Sequence, residues 1–318
     1  MERTAAVELF KRSVSFGLKY RIMVSDGDSK AYLDVIDVYG VCDSCKAVKQ
    51  KFTNVRDSKF SDWVRSDEYA VYVEAHESSD STCCVVYKRD CVNHISKNFR
   101  KALESYAKSG EKVGDMKSII RSKHGLGTVA IVKLSKRFRA IIITHKVQGQ
   151  HNEVEVKGAL LKMKAGIMAS LYHSTMIEDD VIRHRWCPEG ESSWCPWRRG
   201  VKNWEGDRPH HLNPALFPGL LKIYEASSSE NYLRRVVTGY NQNALESVNK
   251  LIWANVSKAK FHGYKRVFIA TGLALLQFEK GRLGQIMVQK QLGIPVTEYQ
   301  LASPRQWTMK GYSMPRGG

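Results

Sequence analysis

Four short stretches of this sequence hold residues whose type and spacing could do chemistry. Asp26 and Asp28 stand one residue apart in Asp-Gly-Asp-Ser. Two carboxylates on one side of a turn can hold Mg²⁺ or Mn²⁺ through oxygen; a plain Asp-Gly turn with a capping Asp has the same letters. Cys91 and His94, in Cys-Val-Asn-His with Asn98 beyond, have the offset of two zinc ligands. Cys187 and Cys195 bracket an irregular segment, with His184 just before it. A tetrahedral site built from Cys91, His94, Cys187 and Cys195 would order that segment, which has little regular hydrogen bonding of its own. His210 or His211 could replace one ligand. The alternative is a reduced thiol pair packed against Trp186, Trp194 and Trp197. Finally, Asn243, Glu246 and Asn249 recur every three residues, so a helix puts them on one face. Glu246 flanked by amides could ligate a metal, and such a row is equally what a solvated helix face looks like.

The elements that must position these groups follow from periodicity. Ala5, Ala6, Leu9, Phe10 and Val14 recur at helical spacing and predict an amphipathic helix over 4–15. Residues 20–25 are β-prone and mostly apolar, a buried strand that would deliver Asp26 and Asp28 to a turn. Ser29 could cap a following helix with Tyr32, Leu33 and Ile36 inward. A strand carrying carboxylates to a turn before a helix is the layout of an active-site rim in an α/β fold. Residues 41–88, with Cys42-Asp-Ser-Cys45, many Ser and Asp and a strand-like 69–73, read as a loop-rich insertion. Ile95, Phe99, Leu103 and Tyr106 predict a helix with Lys97, Arg100, Lys101 and Lys108 on its other faces. Further elements are expected at 115–124 and 129–145, where helix and strand fit Ala140–Thr144 equally, and a helix at 157–175. Residues 184–218 are irregular, and helices are expected over 244–253 and 265–279. The resulting divisions are 1–40, 41–88, 89–235, 236–285 and a tail at 286–318 that composition marks as partly disordered.

The formal charge is +18 over 318 residues, which favours an anionic partner, nucleic acid being the commonest. The charge is uneven: residues 88–146 hold 15 Lys and Arg against 4 Asp and Glu, whereas residues 1–40 hold six of each sign. A basic stretch of that density is suited to the phosphate backbone. No apolar run reaches the ~18 residues needed to span a bilayer, so no membrane partner is expected. The Met-Glu-Arg-Thr start has no signal-peptide pattern. The expected compartment is the nucleus, or the cytoplasm for a non-functional remnant, and there the seven cysteines read as metal ligands or buried thiols.

Taken in order, Asp-Gly-Asp-Ser-Lys at 26–30, Cys-Val-Asn-His with Asn98, Cys-Pro-x-Gly-x-x-Ser-Trp-Cys at 187–195 and Gln-Asn-x-x-Glu-Ser-x-Asn at 242–249 resemble the ordered signature of Mutator-like transposases. The resemblance runs from residue 4 to about 280 and is weakest over 41–88. It implies an α/β fold: a ribonuclease-H-like mixed sheet interrupted by a helical insertion, zinc-stapled if the Cys/His set closes. It implies DNA cleavage and strand transfer through three carboxylates and two divalent metals, Mg²⁺ or Mn²⁺, which activate water and stabilise the charge of the attacking and leaving oxygens. The second catalytic Asp falls on Asp26, with Asp28 the other choice, and the Glu on Glu246. The implied partners are DNA, as transposon ends and target, and another transposase chain. Lys97, Arg100, Lys101, Lys133, Lys136, Arg137 and Arg139 are the cations expected on the DNA backbone. The family's first Asp lies on a strand ahead of the helix at 4–15, where this sequence has only Met1-Glu2-Arg3. The expectation is therefore a copy lacking its first strands, with catalysis impaired. The competing expectation is a non-catalytic, zinc-stabilised nucleic-acid-binding protein derived from a transposase.

Overall fold

The computed structural model describes residues 2–25, 30–53, 57–77, 83–149, 152–175, 177, 179–191, 193–200, 211–297 and 300. Two compact units divide the chain, Met1–Asn241 and Gln242–Gly318. The protein is mixed α/β but mostly helical, with one two-stranded sheet among the described residues.

The first unit begins with α1 (Glu2–Ser13), as its apolar spacing predicts, and β1 (Ile22–Ser25). After α2 (Lys30–Val35) come α3 (Asp43–Thr53), α4 (Asp57–Val64) and α5 (Asp67–Glu77), and then β2 (Tyr87–Asp90). The two strands are parallel, with Ile22 opposite Tyr87 and Ser25 opposite Asp90. A parallel pair needs a crossover of a dozen residues or more, and α2–α5 supply it.

Among the described residues of 41–88, three helices therefore stand where loops were expected, and 69–73 lies in α5, not in a strand. The Tyr-Ala-Val-Tyr-Val run fits both periods. Packing chose the helical one: Tyr69 and Val73 are buried against Trp63 and Tyr32, while Val71 is 65% exposed. An alternating strand would have put Val71 on the same face as its two buried neighbours. The core here is largely aromatic. Phe52, Phe60 and Trp63 meet with ring centroids 5.2–5.7 Å apart, within the range where aromatic pairs gain beyond their buried area.

Beyond β2 the unit is an all-helical body: α6 (Val92–Lys108), α7 (Thr128–Thr144), α8 (Glu153–Ser174), the short α9 (Asp180–His184), α10 (Phe217–Ser227) and α11 (Glu230–Arg234). Ile95, Phe99 and Leu103 are buried along α6, as their spacing predicts, and Ala140–Thr144 belongs to α7. Phe99 stacks on Phe138 of α7 at 4.4 Å, and Tyr224 of α10 closes on Phe99 edge-on. Gly219 lets α10 approach α6, because a Cβ there would run into the Tyr106 ring. A capping box starts α8: the Asn152 side chain accepts from the Glu155 backbone N–H at 2.9 Å, and the Glu155 carboxylate accepts from the Asn152 N–H at 3.1 Å. Asn152→Ala should cost about 1 kcal/mol, read as a lowered urea midpoint at constant slope.

The described residues of the second unit form a run of three helices, α12 (Asn243–Asn255), α13 (Tyr264–Lys280) and α14 (Arg282–Gln291). The tail expected from 286 thus begins within a helix, and residues 301–318 lie outside the described part. Ala270, Ala274 and Ile286 are buried, and Phe261, Tyr264, Phe268 and Ile269 are exposed.

Candidate metal centre

Two cysteines of the 187–195 motif meet two histidines. The ligand atoms of His173, His184, Cys187 and Cys195 all lie within 4.8 Å of one another. His173 Nδ1 and His184 Nδ1 are 3.2 Å apart. Cys187 Sγ is 3.7 Å from each imidazole nitrogen, and Cys195 Sγ is 3.3 Å from His184 Nδ1. A tetrahedral zinc with bonds near 2.0–2.1 Å to nitrogen and 2.3 Å to sulfur requires edges of about 3.3 Å for N···N and about 3.6 Å for N···S. The observed edges match, so the four groups can hold a structural metal such as zinc.

The chain builds this cluster from a helix end, a short helix and a turn. His173 sits in the last turn of α8, and His184 ends α9. Asp179 caps α9 by accepting from the Val181 and Ile182 N–H groups at 2.7 and 3.2 Å. The Cys187 N–H then donates to the His184 carbonyl at 3.0 Å, which holds the second and third ligands on one short turn. Gly190, at φ 91°, reverses the chain between the cysteines in a conformation that other residues rarely adopt. The Cys195 N–H is fixed by Ser193 Oγ at 3.1 Å.

Around the ligands, His184 is fully buried and stacks on Trp197, while His173 meets Trp194 edge-on. Arg198 donates to the His184 carbonyl at 3.1 Å, and buried Arg183 reaches the His173 carbonyl at 3.3 Å and also contacts His211. Both histidines are thus held through their backbone carbonyls and their ring contacts. Burial keeps the His173 imidazole neutral to lower pH than usual. Of the two thiols, Cys195 gives up its proton first: the hydrogen bond from Cys187 lowers it, with His173 and His184 adding to the effect, and Cys187 is pushed up in return.

Cys187 and Cys195 therefore sit together as expected, but their partners in the cluster are His173 and His184. Cys91 and His94 are not among its members. Cys91 is buried just before α6, with its N–H donating to the Ser25 carbonyl at 3.2 Å. His94 lies in the first turn of α6, its Nδ1 buried and without a hydrogen bond among the described residues. His184 three residues before Cys187 was a legible signal. His173 was not, because only the folding of α8 brings it back. His211 meets Arg183, and His210 lies outside the described residues.

Of the carboxylates, Asp26 and Asp28 lie outside the described residues, in the connection between β1 and α2. Glu246 lies in the first turn of α12 and is exposed. Of the basic residues, Lys97, Arg100 and Lys101 are exposed on α6, Arg100 pairing with Glu104 at 2.8 Å. Lys133 and Lys136 are exposed on α7. Arg137 and Arg139 are half-buried and already engaged: Arg137 donates to Ser174 Oγ at 2.9 Å and lies over Trp194, and Arg139 donates to Asn93 Oδ1 at 3.0 Å. The side chain of Arg137 thus links α7 to the metal cluster.

A basic helical body with a Cys/His cluster at its edge defines a module that a structural metal could staple. Residues 67–195 match the model of the Mutator-like transposase family. The match covers less than half of the chain and ends on Cys195, the last of the four clustered ligands. No curated protein and no solved structure matches the chain.

Proposed function

We propose that the chain is a transposase-derived DNA-binding protein whose basic helices carry beside them a segment stapled by zinc at His173, His184, Cys187 and Cys195. The observation that carries this reading is the coincidence of the Mutator-like segment with that closed cluster, beside helices that present Lys97, Lys101, Lys133 and Lys136 to solvent. Such lysines meet phosphates without reading bases, so binding is expected to be tight, salt-sensitive and weakly sequence-dependent, in the nucleus. Changing all four lysines to Gln should lower the slope of log K against log salt by about 3 to 4, at ~0.9 per lost phosphate contact, in anisotropy titrations with a DNA duplex. An unchanged slope would place the DNA elsewhere.

The second reading is catalytic: cleavage and strand transfer by two Mg²⁺ or Mn²⁺ ions on a ribonuclease-H-like core. It is favoured by the parallel β1–β2 pair, whose first strand leads into the Asp26 and Asp28 connection. In open α/β sheets ligands gather at the carboxyl ends of the strands. On this reading Asp26 and Glu246 are metal ligands. Glu246→Gln should then abolish Mg²⁺-dependent nicking while leaving DNA affinity intact. Equal nicking by both proteins would remove Glu246 from the mechanism.

A further inference from the structure

A second set of metal-binding groups lies in the crossover between the strands. Cys42, Cys45, His76 and Cys83 also have all four ligand atoms within 4.8 Å of one another. Cys42 Sγ lies 3.5 Å from Cys45 Sγ and 3.3 Å from His76 Nε2, and Cys45 Sγ lies 3.5 Å from Cys83 Sγ. A tetrahedral zinc requires edges of about 3.8 Å for S···S and about 3.6 Å for S···N, close to what is seen. A disulfide would need its sulfurs near 2.05 Å, so these are separate thiols gathered round a point.

The surroundings suit a metal more than a chance packing of thiols. His76 directs Nδ1 at the Tyr72 carbonyl, 2.6 Å away, so that Nδ1–H donates and Nε2 offers its lone pair to the cluster. The Tyr72 hydroxyl donates to Cys45 Sγ at 2.9 Å, and the Cys42 backbone N–H donates to Cys83 Sγ at 3.4 Å. Donors aimed at sulfur stabilise thiolates, the form in which cysteine binds a metal. Cys45 and Cys83 are buried, and Cys42 is half-exposed, leaving a route for a metal to enter.

We infer that Cys42, Cys45, His76 and Cys83 form a structural Cys₃His zinc site that ties the start of α3, the end of α5 and the approach to β2 to one another. Three thiolates and an imidazole select a tetrahedral, borderline-soft cation over Mg²⁺ or Ca²⁺, and four protein ligands leave no open position for catalysis. Cys42 and Cys45 precede the Mutator-like segment and His76 and Cys83 lie within it, and the site shares no residue with the DNA reading. Its role is to order a helical crossover that a two-stranded sheet could not hold alone.

The test is metal stoichiometry of the full chain by native mass spectrometry. Two zinc ions per chain are expected, falling to one in Cys45→Ser and likewise to one in Cys195→Ser, with none in the double variant. One zinc in the wild type that Cys45→Ser retains would overturn the site, as would a mass two hydrogens light that maps to a disulfide within the set. Should Cys45→Ser fail to fold, the cobalt-substituted wild type decides. Thiolate-to-cobalt absorption scaled to five Co–S bonds supports the site, and absorption scaled to two overturns it.

Discussion

His184→Ala is expected to release one zinc per chain and to open residues 184–200 to protease while α6, α7 and α10 stay folded. The reason is local. That segment starts on the last residue of α9 and has no helix or strand among its further described residues, so its order depends on the cluster and its cladding of Trp194, Trp197 and Arg198. The helical body, by contrast, has its own core of Phe99, Leu103, Phe138 and Tyr224. Binding to the native state alone stabilises by RT ln(1 + [L]/Kd), or about 4 kcal/mol when free zinc is a thousandfold above Kd. Chelating the wild type should therefore lower its stability by at least roughly that amount and open residues 184–200 to protease as His184→Ala does. Equal protease resistance with and without chelator would show that packing alone holds the segment.

Asp90→Ala is expected to cost about 3–5 kcal/mol, a large share of the stability of an ordinary domain. Asp90 is the last residue of β2, and both of its carboxylate oxygens are in use: one lies 2.6 Å from Lys88 Nζ and the other 3.0 Å from Arg235 Nη1. These side chains are 4%, 9% and 13% exposed for Lys88, Asp90 and Arg235. Taking away the carboxylate leaves two cations out of water with no compensating charge, and the cost of that exceeds anything the ion pairs add when intact. Lys88→Met removes a cation along with its pairing and should cost much less. Urea denaturation of the two variants checks the ordering, and equal midpoints would mean that the network is not the cause.

Glu246, Cys187 and Cys195 all stand in motifs, but Cys91 and His94 were the expected partners of the two cysteines. Cys-x-x-His carries the right chemistry at the right offset, and sequence order gives no distance between residue 91 and residue 187. His173 is only eleven positions from His184 and had no motif to mark it. Likewise Arg137 and Arg139 were indistinguishable from Lys133 and Lys136 as cations of a basic stretch. Only the packing of α7 separates the two arginines that tether neighbouring groups from the two lysines that face solvent.

Sequence alone determined the elements whose signal is local: α1, β1, α6, α12 and α13 each carry a helical period or β-prone run, and the inward residues Tyr32, Leu33, Ile36, Ile95, Phe99 and Leu103 follow from such local patterns. It also determined the charge that points to nucleic acid and the motif order that points to the family. Tertiary structure decided the rest, because those outcomes depend on groups remote in sequence. The 69–73 run is helical since Trp63 and Tyr32 receive Tyr69. Lys88, Arg89 and Asp90 are buried because strand pairing and Arg235 enclose them. The two Cys/His sets close because α8 and α5 return their histidines to cysteines elsewhere on the chain, and a coordination sphere is defined by distances in space, which spacing along a sequence does not contain.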